Sequence, residues 1–184
     1  MVQNEINIQM SLKHKNIVKL LETKEYNENI ILLMEYLHQS DLYHFINSFP
    51  KSESKGKISE ALCAYFMIQI LDTLLYLRIN HILHRDIKLA NIMLDQNYQV
   101  KLGDFSLSRR INEDSYYMTS CSGTVSYLPP ECVNDSIKIT GEAIYKRDMF
   151  SLGVAMYFLL FNCHPFGFDV SFFNFLNFFR RNCH

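Results

Sequence analysis

The sequence predicts an α+β fold: strands towards the N-terminal end, then a mainly helical remainder built around a β-hairpin. Three observations carry this. The apolar residues Leu62, Phe66, Ile70, Leu74 and Leu77 recur at helical spacing behind Ser59, a residue suited to an N-cap, and mark a long helix with a buried stripe. Ile92-Met93-Leu94 and Val100-Lys101-Leu102 flank Asp95-Gln96-Asn97, the pattern of two short strands joined by a turn. The run Ile30-Ile31-Leu32-Leu33-Met34 is continuous and apolar, as in a strand buried on both faces.

The remaining elements follow in order. From Glu5 to Leu12 the apolar residues Ile6, Ile8, Met10 and Leu12 alternate, yet they also satisfy i,i+4 spacing, so periodicity alone leaves helix and strand open. Two strands are expected from Lys19 to Glu25 and from Asn29 to Tyr36, and a short helix from Asp41 to Phe49. Pro50 to Lys57 reads as a loop by composition.

With 184 residues, 48% hydrophobic and 20% charged, the chain has the composition of a globular protein with a core. Eighteen basic and nineteen acidic residues give a formal charge of −1, so no global field steers the chain to nucleic acid or an anionic membrane. The five cysteines are scattered and lack paired metal-ligand spacing, which favours reduced thiols in the cytoplasm or nucleus over a disulfide framework. No apolar run is expected to reach the ~20 residues of a transmembrane span, and no signal pattern precedes Glu5.

The chemistry concentrates between His84 and Phe105. The hairpin has acidic and amide residues at both ends: Asp86, Lys88 and Asn91 before its first strand, Asp104 after its second. Two carboxylates and an amide are oxygen donors suited to a hard cation, and Lys88 supplies compensating charge. The order His84-Arg85-Asp86-x-Lys88-x-x-Asn91, with Asp104-Phe105 following, resembles the catalytic and metal-binding loops of eukaryotic protein kinases, and Lys88 resembles the serine/threonine class. Further motifs fall in register. Glu5 to Val18, with His14, Asn16 and Ile17, is similar to the small-lobe helix of that family and its exit. Gly123-Thr124-Val125-Ser126-Tyr127-Leu128-Pro129-Pro130-Glu131 resembles the end of the activation segment, with Pro129 in place of Ala. Asp148 to Val154 is similar to the start of the central helix of the large lobe, with Phe150 where the family usually has Trp.

The resemblance implies a truncated two-lobed kinase fold, a partial kinase domain over 1–184. Residues 1–36 would be a small-lobe remnant of one helix and two strands with the hinge start, and 37–184 an incomplete large lobe. It implies ATP-dependent transfer of a phosphoryl group to Ser or Thr hydroxyls of a protein substrate, with Mg²⁺. Asp86 would accept the substrate proton and Lys88 offset charge on the transferring group. Asn91 and Asp104 would hold the metal. Glu5, Glu35, Leu37 and Met93 would serve ATP, the first by pairing with a lysine, and Met34 would guard the pocket behind the adenine. Arg85 would receive a phosphate placed on Thr119 by an upstream kinase, with Ser120 and Ser122 as rivals. His84, Phe105, Glu131 and Asp148 would be structural; Asp148 reads equally well as a carboxylate at a helix N-terminus.

Several positions depart from the family pattern. The Gly-rich loop and the lysine partner of Glu5 do not occur in the sequence given, so this chain is expected to be a poor kinase and a partial domain. Gln9 either replaces an apolar residue that links the small-lobe helix to Asp104-Phe105 or faces solvent. Ser106 stands where the family has Gly and should restrict backbone swings of Asp104. These departures favour a second reading, a pseudokinase or fragment acting as a protein-binding module. The Phe-rich stretch from Phe172 to Phe179 reads as a core-facing helix, or less well as an interfacial one.

Overall fold

The computed structural model describes residues 2–48, 57–111, 122–133 and 141–166. Helix α1 (Val2–Ser11) resolves the ambiguous periodicity in favour of helix: Ile6, Ile8 and Leu12 are buried, and Met10 faces out. Strands β1 (Leu20–Tyr26) and β2 (Asn29–Met34) form an antiparallel hairpin. Its loop residues Asn27 (φ 45°) and Glu28 (φ 64°) both adopt the left-handed conformation that matches the twist of a two-residue hairpin turn.

The expectation that β2 is buried on both faces is corrected here. Ile31 and Leu33 are each about half exposed, because β1 and β2 form a two-stranded sheet with no further strand beside it among the described residues. Burial needs a covering layer, and a run of apolar residues does not bring one.

Helix α2 (Leu42–Asn47) starts where Asp41 accepts a hydrogen bond from the His44 N–H at 2.9 Å. Helix α3 (Glu60–Ile79) starts at Ser59, whose Oγ accepts from the Leu62 N–H at 3.2 Å. Phe66, Ile70, Leu74 and Leu77 are buried as their spacing requires. On length and composition α3 could cross a membrane, contrary to the expectation that no run comes close. Its buried stripe nevertheless packs against α5 and the hairpin described next, as a core helix does.

Beyond α3, His81 reverses the chain at φ 56° and accepts the Ile111 N–H on its carbonyl oxygen at 2.7 Å. Strand β3 (Ile82–Leu83) pairs with β6 (Arg109–Arg110), and between them β4 (Ile92–Leu94) pairs with β5 (Val100–Leu102) in the register Ile92↔Leu102 and Leu94↔Val100. The N-terminal part reaches this hairpin directly. Val18 N–H donates to the Leu102 carbonyl at 2.9 Å, and Leu102 N–H donates to the Asn16 carbonyl at 2.8 Å. Helix α4 (Pro130–Val133) and the long helix α5 (Lys146–Phe161) complete the described chain. Leu152, Ala155, Phe158 and Leu159 of α5 join Phe66 and Ile70 of α3 and Ile92, Leu94, Val100 and Leu102 in one core.

Candidate active site

The segment between β3 and β4 is anchored from below by one carboxylate. Asp148, buried in the first turn of α5, accepts the His84 N–H at 2.8 Å and the Arg85 N–H at 2.9 Å. These two bonds join residues 63 or more positions apart and hold Arg85 at φ 73°, a conformation costly for a side-chain-bearing residue unless its surroundings enforce it.

His84 is fully buried. Its Nδ1 accepts the Asp86 N–H at 3.3 Å, which leaves Nε2 to donate to the Gly103 carbonyl at 3.0 Å, so the ring bridges the two ends of the site as a neutral imidazole. Burial pushes its pKa down despite the nearby carboxylates of Asp148, Asp86 and Asp104. Its ring meets the fully buried Phe105 edge to face at 4.8 Å.

Asp86 is the centre of a dense set of donors. Oδ2 accepts from Lys88 Nζ at 2.7 Å and Asn91 Nδ2 at 3.1 Å, and Oδ1 from the Thr124 N–H at 2.9 Å and the Thr124 hydroxyl at 2.8 Å. Burial pushes its pKa up, yet the hydrogen bonds from Lys88 and Thr124 outweigh it and hold the carboxyl below its ordinary value. Lys88 also reaches the Thr124 hydroxyl, at 3.1 Å. Asn91 spends its amide hydrogens on the carbonyl oxygen (2.9 Å) and Oδ2 of Asp86, so its own Oδ1 is turned away from that carboxylate.

Asp104 sits at φ 57° after β5, and its Oδ1 accepts the Ser106 hydroxyl at 2.6 Å. Glu5 of α1 lies close enough that burial, first, and the Asp104 charge, second, both raise its pKa. The structure therefore brings Glu5, His84, Asp86, Lys88, Asn91, Asp104 and Phe105 to one place.

Other expected residues fall nearby or apart. Met93 of β4 pairs with Lys101, whose Nζ contacts the Glu35 carboxylate at 3.0 and 3.1 Å; Leu37 is half-buried just beyond Glu35. Glu131 forms no ion pair among the described residues. Thr119 and the stretch from Phe172 to Phe179 lie outside the described residues. Gln9 does not face solvent: it is buried, and its Nε2 donates to the Val18 carbonyl at 3.0 Å, pinning α1 to the segment beside β5.

Two participants escaped the sequence reading. Thr124 carried a signal, its place in the Gly-Thr pair, but its bonds to Asp86 span 38 residues and need the fold. Arg147 carried none. A basic residue at a helix start reads as exposed, yet it is buried and its guanidinium touches the carbonyls of Arg85 and Ser122. Between them Gly123, at φ 116°, leaves no room for a side chain, since a Cβ would meet the Arg85 carbonyl oxygen at 2.6 Å.

Asp104 and Asn91 are hard oxygen donors of the kind Mg²⁺ takes in ones and twos, with phosphate oxygens and water completing its shell. Among the described residues no group of three or more His, Cys, Asp or Glu side chains is placed to hold a metal.

The protein kinase domain profile matches residues 1–176. The chain is 35% identical over 169 residues to mouse NUAK family SNF1-like kinase 1, covering 91% of this chain and 24% of that protein. It is 33% identical over 167 residues to serine/threonine-protein kinase cds1 of Schizosaccharomyces pombe, covering 90% of this chain and 35% of that protein. A probable serine/threonine-protein kinase PLK of Dictyostelium discoideum is 34% identical over 165 residues, covering 90% of this chain and 16% of that protein. The chain thus spans about a quarter of the length of mouse NUAK family SNF1-like kinase 1.

Proposed function

This chain belongs to the protein kinase family, its relatives are serine/threonine kinases, and we propose on that premise that it carries the phosphotransfer centre of a protein serine/threonine kinase. The observation that carries the reading is the Asp86 carboxylate, held by Lys88, Asn91 and Thr124 at the loop anchored by Asp148.

In this reading Asp86 receives the substrate hydroxyl. Its depressed pKa keeps it ionised at neutral pH, so it acts first as a hydrogen-bond acceptor that orients the nucleophile. Thr124 and Lys88 fix its two oxygens in different directions, and Lys88 keeps a positive charge beside the reacting group. Asn91 and Asp104 would hold Mg²⁺, with Glu35, Leu37 and Met93 beside the nucleotide. When bound, ATP and Mg²⁺ supply the phosphoryl group and neutralise its charge.

Arg85 supports a regulatory reading. Burial, and then the charges of Arg147 and Arg109, lower its pKa to about 10. Arg147 and Arg109 repel Arg85 and Asp148 offsets them in part, a surplus of positive charge that supports a dianion beside Arg85, as a phosphate on Thr119 would provide. Mass spectrometry of active protein should find the 115–122 stretch phosphorylated; an unmodified stretch, with Thr119→Ala fully active, would refute this. ATP as cosubstrate and the scattered thiols support an intracellular setting.

The test of the main reading is incorporation of phosphate from ATP into a Ser/Thr substrate by the protein. Asp86→Asn should reduce turnover by at least ~10³-fold, with the fold retained as read by circular dichroism. Equal turnover in the variant refutes the role given to Asp86. No turnover in the wild type, with ATP still bound, would favour a binding module instead.

A further inference from the structure

Asp104 is followed by two residues of opposite character. Phe105 is fully buried against His84, and its carbonyl accepts the Ser108 N–H at 3.0 Å, closing a turn over 105–108. Ser108 in turn gives its hydroxyl to the His84 carbonyl at 3.2 Å. The backbone on the far side of Asp104 is therefore held rigidly to the loop that carries Asp86. Ser106 sits within this turn, half-buried, at a negative φ where a Cβ is free of strain.

A glycine there could offer Asp104 only its backbone N–H, which lies 3.3 Å from Oδ1, a long and weak bond. The serine adds an O–H donor at 2.6 Å to the same oxygen, in the range of strong charge-assisted bonds. Asp104 needs such a constraint. Its backbone is in the left-handed region, and among the described residues its only hydrogen bonds come from Ser106. Both go to Oδ1, so Oδ2 is left for an incoming ligand.

We infer that Ser106 is a positioning residue for the metal-binding carboxylate: its hydroxyl clamps Oδ1 of Asp104 and presents Oδ2 in one orientation to a divalent cation. The inference rests on the reading of Asp104 as a metal ligand and adds a residue to that site. Carboxylates that bind metals are commonly oriented by such outer partners, whose loss weakens binding by about 10–100-fold.

The probe is Mn²⁺ alone, its free and bound fractions read by electron paramagnetic resonance on the full chain, with no turnover involved. Ser106→Ala, which removes only the hydroxyl, should weaken Mn²⁺ binding by about tenfold. Ser106→Thr, which restores a hydroxyl, should return it to within about threefold of wild type, a rescue that a packing role would not produce. Asp104→Asn is the reference. If it weakens Mn²⁺ binding while Ser106→Ala does not, the inference about Ser106 is overturned and the metal site stands. If Mn²⁺ binding is indifferent to Asp104→Asn, the metal-site reading falls and takes this one with it. Thermal unfolding of each variant separates lost binding from lost fold.

Discussion

Among the described residues two antiparallel hairpins, each with an apolar strand, meet opposite fates. In β4–β5 the residues Ile92, Leu94, Val100 and Leu102 are fully buried. In β1–β2 the more hydrophobic strand, Asn29–Met34, leaves Ile31 and Leu33 half in water. The difference lies in what stands beside them. α3 packs behind β4–β5, α2 against its first strand, and residues 16–18 pair along its edge, so each apolar side chain meets a neighbour. β1–β2 has α1 near one strand and no covering layer among the described residues. The hairpin that carries Asn91 and Asp104 at its ends is thus the rigid one, as a site that must hold groups within about half an ångström requires.

The strongest way to break this contrast is to cut the anchor beneath the buried hairpin. Asp148→Ala leaves the His84 and Arg85 N–H groups without acceptors in a buried setting and removes a counter-charge near Arg85. It should lower unfolding stability by about 3 kcal/mol, with Asp148→Asn losing less because it keeps the shape and one acceptor. A denaturation midpoint unchanged in Asp148→Ala would mean that the loop holds itself.

Acid should act on the same region. His84 is neutral in the fold, its pKa pushed below the ordinary 6.5. Above pH 6.5 neither state binds this proton, so the group contributes nothing to pH dependence there. As pH falls through 6.5 the unfolded chain takes up the proton and the folded one does not. Stability is therefore lost between pH 6.5 and the depressed folded value, by at most about 1.4 kcal/mol per pH unit. His164, also pushed down by burial, adds in the same sense. Urea unfolding at a series of pH values should give a shallower slope in that window for His84→Asn than for the wild type; identical slopes would show that His84 is not the group responsible.

The smallest effect belongs to the exposed hairpin. Leu33→Ser, at a position half exposed to solvent, should change stability by no more than about 0.5 kcal/mol, while reducing self-association seen by light scattering, because it breaks an exposed apolar edge. A loss of 2 kcal/mol or more in this variant would show that the strand is covered in solution.

Much of this was legible in the chain. The helical stripe of α3, its Ser59 cap, the two hairpins and the His84 to Phe105 motif follow from spacing and turn chemistry, which act over a few residues. Spacing also placed Asp86, Lys88, Asn91 and Asp104 as one cluster, because the 13 residues from Asn91 to Asp104 are one hairpin long. The sequence misjudged burial where covering decides it. Ile31 and Leu33 read as core and are not; Gln9, whose sequence reading left a buried and a solvent-facing place open, is buried, as is Arg147, which carried no sign of it in the sequence.

What the sequence alone determined, then, is which groups this protein has for its chemistry and the short elements that carry them, since propensity, caps and turns are properties of neighbouring residues. What only the tertiary structure decided is how those groups are held: Asp148 reaching His84 and Arg85, Thr124 capping Asp86, Gln9 tying α1 to residue 18, and the Ser106 hydroxyl set on Asp104 by a buried Phe105. The first three join residues far apart in the chain or on different elements, and the last depends on the pocket that fixes Phe105. Such contacts form only once packing of the core has met the entropy of closing the loops between them.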